Sequence, residues 1–205
     1  MPDPLIVFGS GGHAKVVIEA VLTRTPDRQV VVLDDLHAEE ARSVFGLKVL
    51  GGRGNLDASS RVIPAIGDNL ARAELIGWLV DQGHLLETVV HPNALVAHSV
   101  SIGPGTFVSA GAIVIAETRI GAGSIINTGA TVDHDCVIGE AVHIAPGVHL
   151  CGNVHIGART LVGVGASIKP GVSICSDVVI GAGSVVVRDI RDPGTFTGNP
   201  ARQFR

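Results

Sequence analysis

The chain has no tyrosine, one tryptophan and five phenylalanines, so aromatics make up only 3% of its 205 residues. With so few rings, but 46% apolar residues and 27 glycines, the core is expected to consist of small and branched aliphatics. Positive charge is also scarce. Fifteen Lys and Arg against nineteen Asp and Glu give a net charge of −4, which argues against a general nucleic-acid binder or a polybasic membrane-surface protein. The three cysteines, Cys136, Cys151 and Cys175, are too few and too odd in number for a disulfide framework, and they lack the CxxC spacing of a zinc site. No long apolar run is present either: the longest uncharged stretch, Val96 to Ala116, is broken by Pro104, three Gly and three Ser, so it does not read as a membrane span. The opening MPDPLIVF lacks a basic n-region and a small-residue cleavage site, and a cytoplasmic location is expected. The wealth of Val, Ile and Leu argues against disorder.

What the sequence has instead is a period of six. Every sixth residue from Val90 to Val186 is Val, Ile or Leu, seventeen in succession. Four residues after each, from Ala94 to Ser184, stand only Ala, Val, Thr, Ser and Cys. A helix repeats every 3.6 residues and an ordinary strand every two, whereas a solenoid of short strands and tight turns sustains a strict six. Gly103, Gly121, Gly139, Gly157 and Gly181 suit its close backbone approaches. The second half is therefore a β-helix.

The segments IGPGTF, IGAGSI, IGARTL and IGAGSV resemble the hexapeptide-repeat acyltransferases, and the resemblance runs unbroken from Val90 to Val186. It implies a left-handed parallel β-helix in which three hexapeptides form one triangular coil, so that residues 18 apart stack. One outward column then reads Phe107, Ile125, His143, Leu161, Val179. Four exposed apolar residues in line would be a costly patch on a monomer. Members of that family pack as trimers through such faces, so a homotrimer is expected.

The first half reads as a small α/β domain. Leu5 to Phe8 forms a strand, Gly9 to Ala14 a glycine loop and Lys15 to Leu22 a helix; Val30 to Leu33 is a second strand ending in Asp34-Asp35, and RVIPAIG from Arg61 marks another strand end. Asn69 is expected to cap a helix reaching about Gln82, with Gly83 at its C′ position. A βαβ order implies a parallel sheet with its ligand at the strand ends. Gly9, Gly11 and Ala14 fit G-x-G-x-x-G/A with an acidic pair downstream. By itself the loop fits NAD, another pyrophosphate-bearing nucleotide or a merely tight turn.

Taken together, FGSGGHAKVV and NTGATVDHDCVIGEAVHIAPG resemble the acetyltransferases of nucleotide-linked 4-amino sugars and of sialic acids over nearly the whole chain. The resemblance implies a nucleotide-sugar-binding domain over 1–84 and an acetyltransferase β-helix with a short tail over 85–205. It carries Gly11, Gly12, His13, Asp34, Asp35 and Gly67 over as substrate contacts.

Acetyl transfer to an amine needs a base, because an ammonium has no lone pair, and histidine titrates in the right range. His134, in Asp133-His134-Asp135 at a corner between two hexapeptide strands, is the best placed of nine histidines. Residues 18 before and after it are Ala116 and Gly152, which leaves room for a substrate. The resemblance makes His134 the general base and Asp135 its acidic partner. It places His143 against acetyl-CoA near the acetyl group. Gly152 would offer its N–H to the thioester carbonyl. His98, His149 and His155 read as surface residues, and no metal site is supported. Cys136 falls in an inward column, which favours a core residue over an acyl-enzyme nucleophile and hence direct transfer. Lys169, Arg188, Arg191, Arg202 and Arg205 are the cations available to coenzyme A, and the tail TGNPAR resembles the family's G-x-P-A ending.

The expected activity is acetyl-CoA-dependent N-acetylation of a UDP- or GDP-linked 4-amino-4,6-dideoxy sugar. The alternatives are O-acetylation of a sialic acid and a non-catalytic nucleotide-sugar sensor. No partner nucleic acid, membrane span or metal is expected.

Overall fold

The computed structural model describes residues 4–36 and 42–204; Arg205, one of the cations expected near coenzyme A, lies outside them. The first unit comprises β1 (Leu5–Phe8), α1 (Gly12–Arg24), β2 (Val30–Asp34), β3 (Ser43–Val44), β4 (Leu47–Gly51), β5 (Arg61–Pro64), α2 (Asn69–Asp81) and β6 (Leu85–Leu86). Their order in the sheet is β3-β4-β2-β1-β5-β6, parallel except for the β3–β4 hairpin. β1 has β2 on one side and β5 on the other, so the chain changes direction across the sheet at β1, and a crevice opens at the carboxyl ends of these three strands. β6 still pairs with β5 and the first solenoid strand begins at Val89; we therefore propose the domain junction at residues 87–88.

Asp68 caps α2 rather than Asn69: its Oδ1 accepts from the Ala71 N–H at 2.8 Å. The Asn69 side chain is drawn elsewhere, donating to the Arg159 carbonyl and accepting from Arg72. Gly83 takes a φ of +78° just past the helix, as its C′ assignment requires.

From Val89 the chain winds through short strands, mostly of two residues, that form three sheets, parallel except where Gly194–Thr197 pairs with Arg202–Gln203 at the end of the first. The first begins at Val89–Val90, the second at Leu95–Val96 and the third at Ser101–Ile102, and up to Val185–Val186 strands pair 18 residues apart, as Phe107 does with Ile125; the last turn is shorter, pairing Val178 with Gly194. Both inward columns are buried from Thr106 and Val108 through Ser184 and Val186. The hydroxyls in the second column have a definite task. Thr106, Thr118, Ser124 and Thr160 each donate to a carbonyl 15 residues on, and the Cys136 thiol does the same to Cys151. Small polar residues thus satisfy corner carbonyls that a purely aliphatic column would leave unpaired.

Coils stack closely at the corner glycines. A Cβ on Gly139 would lie 2.7 Å from the Ala158 nitrogen. Gly139→Ala is expected to destabilise the fold by about 1–3 kcal/mol through overpacking, seen as an earlier urea unfolding midpoint; an unchanged midpoint would show that the coils can spread.

The outward column needs a correction. Phe107 and Ile125 are 1% exposed, packed into one core with Val17, Ile18 and Val89. The chain's own α/β unit covers them, so this part of the column is no evidence for a subunit interface. The sequence pattern shows that a cover is needed but does not identify it.

Candidate active site

The crevice at the strand ends is a cavity of about 410 Å³ lined by Gly9–His13, Asp34, Asp35, Arg53, Gly67 and Glu74, among others. All six substrate contacts carried over from the sequence therefore meet in one place. Gly9 is needed where it stands, since a Cβ there would lie 2.6 Å from the Ala65 carbonyl oxygen. A Cβ on Gly11, Gly12 or Gly67 would meet only open space, so these residues leave the cavity wall bare. α1 starts at this wall with Gly11 as its N-cap and no side-chain cap. Its first N–H groups and positive dipole end suit a phosphate. Asp34 is held by the Ser10 N–H and hydroxyl and by the Leu36 N–H.

His13 links this cavity to the solenoid. Its ring meets Phe107 edge-on at 5.3 Å and lies 6.5 Å from the ring of His143. Burial, then the neighbouring His143 and Arg72, pushes His13 down to about 3, and its buried Nε2 has no hydrogen-bond partner among the described residues. Burial and Arg72 likewise hold His143 down at about 4. The Asn127 carbonyl oxygen accepts from the Thr128 N–H, so its amide nitrogen faces His143 Nε2 at 3.0 Å. His143 Nε2 is thus the acceptor, and its proton sits on Nδ1, directed to the Gly67 backbone. Both histidines are neutral.

His134 lies elsewhere, at the corner between strands Thr131–Val132 and Val137–Ile138. Its side chain is 57% exposed, and its Nδ1 is 2.7 Å from Asp135 Oδ2. Asp133 accepts from the His134 N–H. The hydrogen bond to Asp135, then the charge of Asp133, raises His134 above the ordinary histidine range. With Nδ1 bound to a carboxylate, Nε2 is left as the basic atom. Asp135 sits at a φ of +59°, a left-handed turn that aspartate tolerates better than most residues. The His134 ring lies directly over Gly152, where a Cβ would be 2.6 Å from Nε2. The bare position expected at Gly152 is thus occupied by the His134 ring itself. Among the described residues no group of His, Cys, Asp and Glu is placed to hold a metal, and no helix is long and apolar enough to cross a membrane.

Residues 4–79 match the family model of the PglD N-terminal domain, and residues 153–188 match the hexapeptide repeat of succinyl-transferase. UDP-N-acetylbacillosamine N-acetyltransferase of Bacillus subtilis (strain 168) is 39% identical over 112 residues, 51% of this chain and 50% of that protein. GDP-perosamine N-acetyltransferase of Escherichia coli O157:H7 is 30% identical over 170 residues, 76% of each chain. A histidine-to-asparagine variant of perosamine N-acetyltransferase from Caulobacter crescentus, solved with CoA and GDP-perosamine, superposes with a TM-score of 0.91 at 40% identity, covering 100% of this chain and 98% of that one. The chain belongs to the nucleotide-sugar N-acetyltransferases with a hexapeptide-repeat β-helix.

In this N-acetyltransferase His134, Asp135 and Gly152 form one cluster, and the glycine loop, His13, Asp34, Asp35 and Gly67 form another. His143 joins the second cluster, through His13 and Gly67, rather than the first. The separation follows from topology. His134 is on the corner shared by the second and third sheets, whereas His143 and the α/β unit lie on the first sheet, and in a three-sided prism that corner is opposite that face.

The sequence reading missed three side chains of the N-acetyltransferase. Arg53 stands at the cavity mouth, donating to Asp35 at 2.9 Å and lying 4.9 Å over the Trp78 ring. Asn127 fixes the His143 tautomer. Arg72, fully buried, bridges the two units. A polar residue inside the apolar pattern of α2 was the only available sign of Arg72; Arg53 and Asn127 carried none.

Proposed function

We propose that the chain transfers the acetyl group of acetyl-CoA directly to the 4-amino group of a UDP- or GDP-linked 4-amino-4,6-dideoxy sugar. The observation that carries this reading is the pairing, in one chain, of a glycine-walled crevice at a helix N-terminus with a carboxylate-bound histidine over a bare glycine. Gly11, Gly12, His13, Asp34, Asp35 and Gly67 hold the nucleotide sugar. The amine lone pair attacks the thioester carbonyl, forming the C–N bond; His134 Nε2 takes the amine proton, and the C–S bond breaks to release the CoA thiolate, which is then protonated. Asp135 orients the ring and stabilises its charged form. The Gly152 N–H is directed at the developing oxyanion. His143, with both ring nitrogens engaged, presents its ring edge to acetyl-CoA near the acetyl group. Cys136, buried and with its thiol pushed up by burial, stays in the core.

The opposed positions of His134 and the crevice support a site completed by a neighbouring copy. Exposed Leu95 and Val164, at 55% and 54%, give the β-helix apolar surface for it. We infer a homotrimer, matching the three-sided solenoid, that works in the cytoplasm where acetyl-CoA and nucleotide sugars are both supplied.

The test is mass spectrometry of UDP- and GDP-linked 4-amino sugars incubated with acetyl-CoA and the protein, with free sialic acid in competition. The expected result is one nucleotide sugar gaining one acetyl group. Acetylation of sialic acid alone would replace this reading with O-acetylation, and no product from any acceptor would overturn it in favour of a sensor.

A further inference from the structure

Arg72 is the largest fully buried side chain of the described residues. A guanidinium removed from water is costly unless its donors are used and its charge is offset. Here the donors go almost wholly to backbone. Towards the α/β unit, Arg72 donates to the carbonyls of Ile66, Gly67 and Asp68 at 2.8, 3.2 and 3.3 Å and to the Asn69 side chain at 2.6 Å. Towards the solenoid, it donates to the carbonyls of Gly123 at 2.7 Å and Ala141 at 2.9 Å. Among the described residues no carboxylate side chain bonds to it; burial lowers Arg72 to about 10, and the charge of Asp68 acts in the opposite sense.

Both sets of acceptors are functionally placed. Ile66 and Gly67 are cavity wall, and Ala141 lies two residues before His143. One rigid planar group therefore spans the wall of the nucleotide-sugar crevice and the turn leading into the His143 strand. We propose that Arg72 is a positioning residue for the acceptor site, fixing the Ile66–Asp68 loop against the solenoid so that His13 and His143 are held together as one neutral wall. This rests on the acceptor reading above and deepens it. Its charge acts in the same sense as its geometry: burial first, and then Arg72, disfavour the protonation of both histidines, with His143 adding to the effect on His13. The other groups at hand, Phe107, Asn127 and the Gly67 backbone, are uncharged. Lysine cannot reproduce the fork, because its ammonium is a point donor.

Two variants separate the geometric and electrostatic effects. For Arg72→Lys and Arg72→Gln, UDP- and GDP-linked 4-amino sugars are titrated calorimetrically without acetyl-CoA, and the imidazole signals of His13 and His143 are followed against pH by NMR. Arg72→Lys is expected to weaken nucleotide-sugar binding about tenfold or more and to displace the imidazole chemical shifts of His13 and His143, because the Ile66–Asp68 loop shifts against the solenoid, while both rings stay neutral at pH 5. Arg72→Gln is expected to weaken it similarly and to shift the His143 titration upward. A folded Arg72→Lys protein that melts earlier but binds like wild type, with unchanged imidazole signals, would reduce Arg72 to a structural strut and overturn the proposal. If Arg72→Gln does not fold, the Lys variant decides. Failure of the wild type to bind any of these sugars would remove the acceptor reading instead, and an Arg72→Lys protein with wild-type imidazole signals would then reject the positioning role independently.

Discussion

Replacing His134 with alanine is expected to lower kcat by about 100- to 10,000-fold, the usual contribution of a positioned general base. The effect should be confined to chemistry. The side chain is 57% exposed, so its removal opens no cavity, and the crevice on the first sheet is untouched. Nucleotide-sugar binding and the thermal midpoint should stay at wild-type values. The pH profile gives a second readout. The base must be neutral to act, and Asp135, followed by Asp133, raises the value at which the ring loses its proton. Wild-type kcat is therefore expected to rise with pH along a limb lying above the ordinary histidine value of about 6.5, and in His134→Ala this limb should disappear from the residual rate. Full turnover by the variant would assign the proton to another group.

Gly152→Val should also lower kcat steeply, although it replaces no titratable group. Even a Cβ at residue 152 would lie 2.6 Å from both Cε1 and Nε2 of His134, closer than packed atoms approach, and valine adds two methyls. The ring must swing away, taking Nε2 off the line to the amine. Misplacing a reacting group by about 1 Å costs on the order of 100-fold, and that loss in kcat is expected here. The ring is exposed and can be displaced into solvent at the cost of its bond to Asp135, so the fold should lose little stability. Wild-type kcat in a folded Gly152→Val protein would mean that His134 works in a different rotamer.

Most of this architecture was legible because a solenoid repeats. A period of six, read over seventeen positions, located both inward columns, and its multiple of 18 placed Gly152 beside His134 before any coordinate was known. The crevice was legible for another reason: its parts are glycines and acids at strand ends, where backbone geometry restricts the choice of residue. What the sequence could not show depends on contacts between units. The cover over Phe107 and Ile125 comes from α1, about ninety residues before Phe107 in the chain, and no local pattern encodes that meeting. The same holds for Arg72, whose acceptors are mainly main-chain carbonyls from three separate turns and so leave no side-chain signature. The shift of the α2 cap from Asn69 to Asp68 is a smaller case: both residues cap well, and only the competing demand from Arg72 and Arg159 decides between them.

Stacked coils also make the molecule a ruler with coarse gradations. Strands in register 18 residues apart advance about 4.8 Å along the axis, so inserting or deleting one whole coil keeps both inward columns intact, while any other length rotates the corner residues onto a different face. The height of His134 relative to the crevice can therefore change over evolutionary time only in such steps. A coil added or removed between residues 108 and 132 would leave the catalytic corner itself unaltered but would carry Ala141 away from Arg72, so the link between the two units would have to be rebuilt with it.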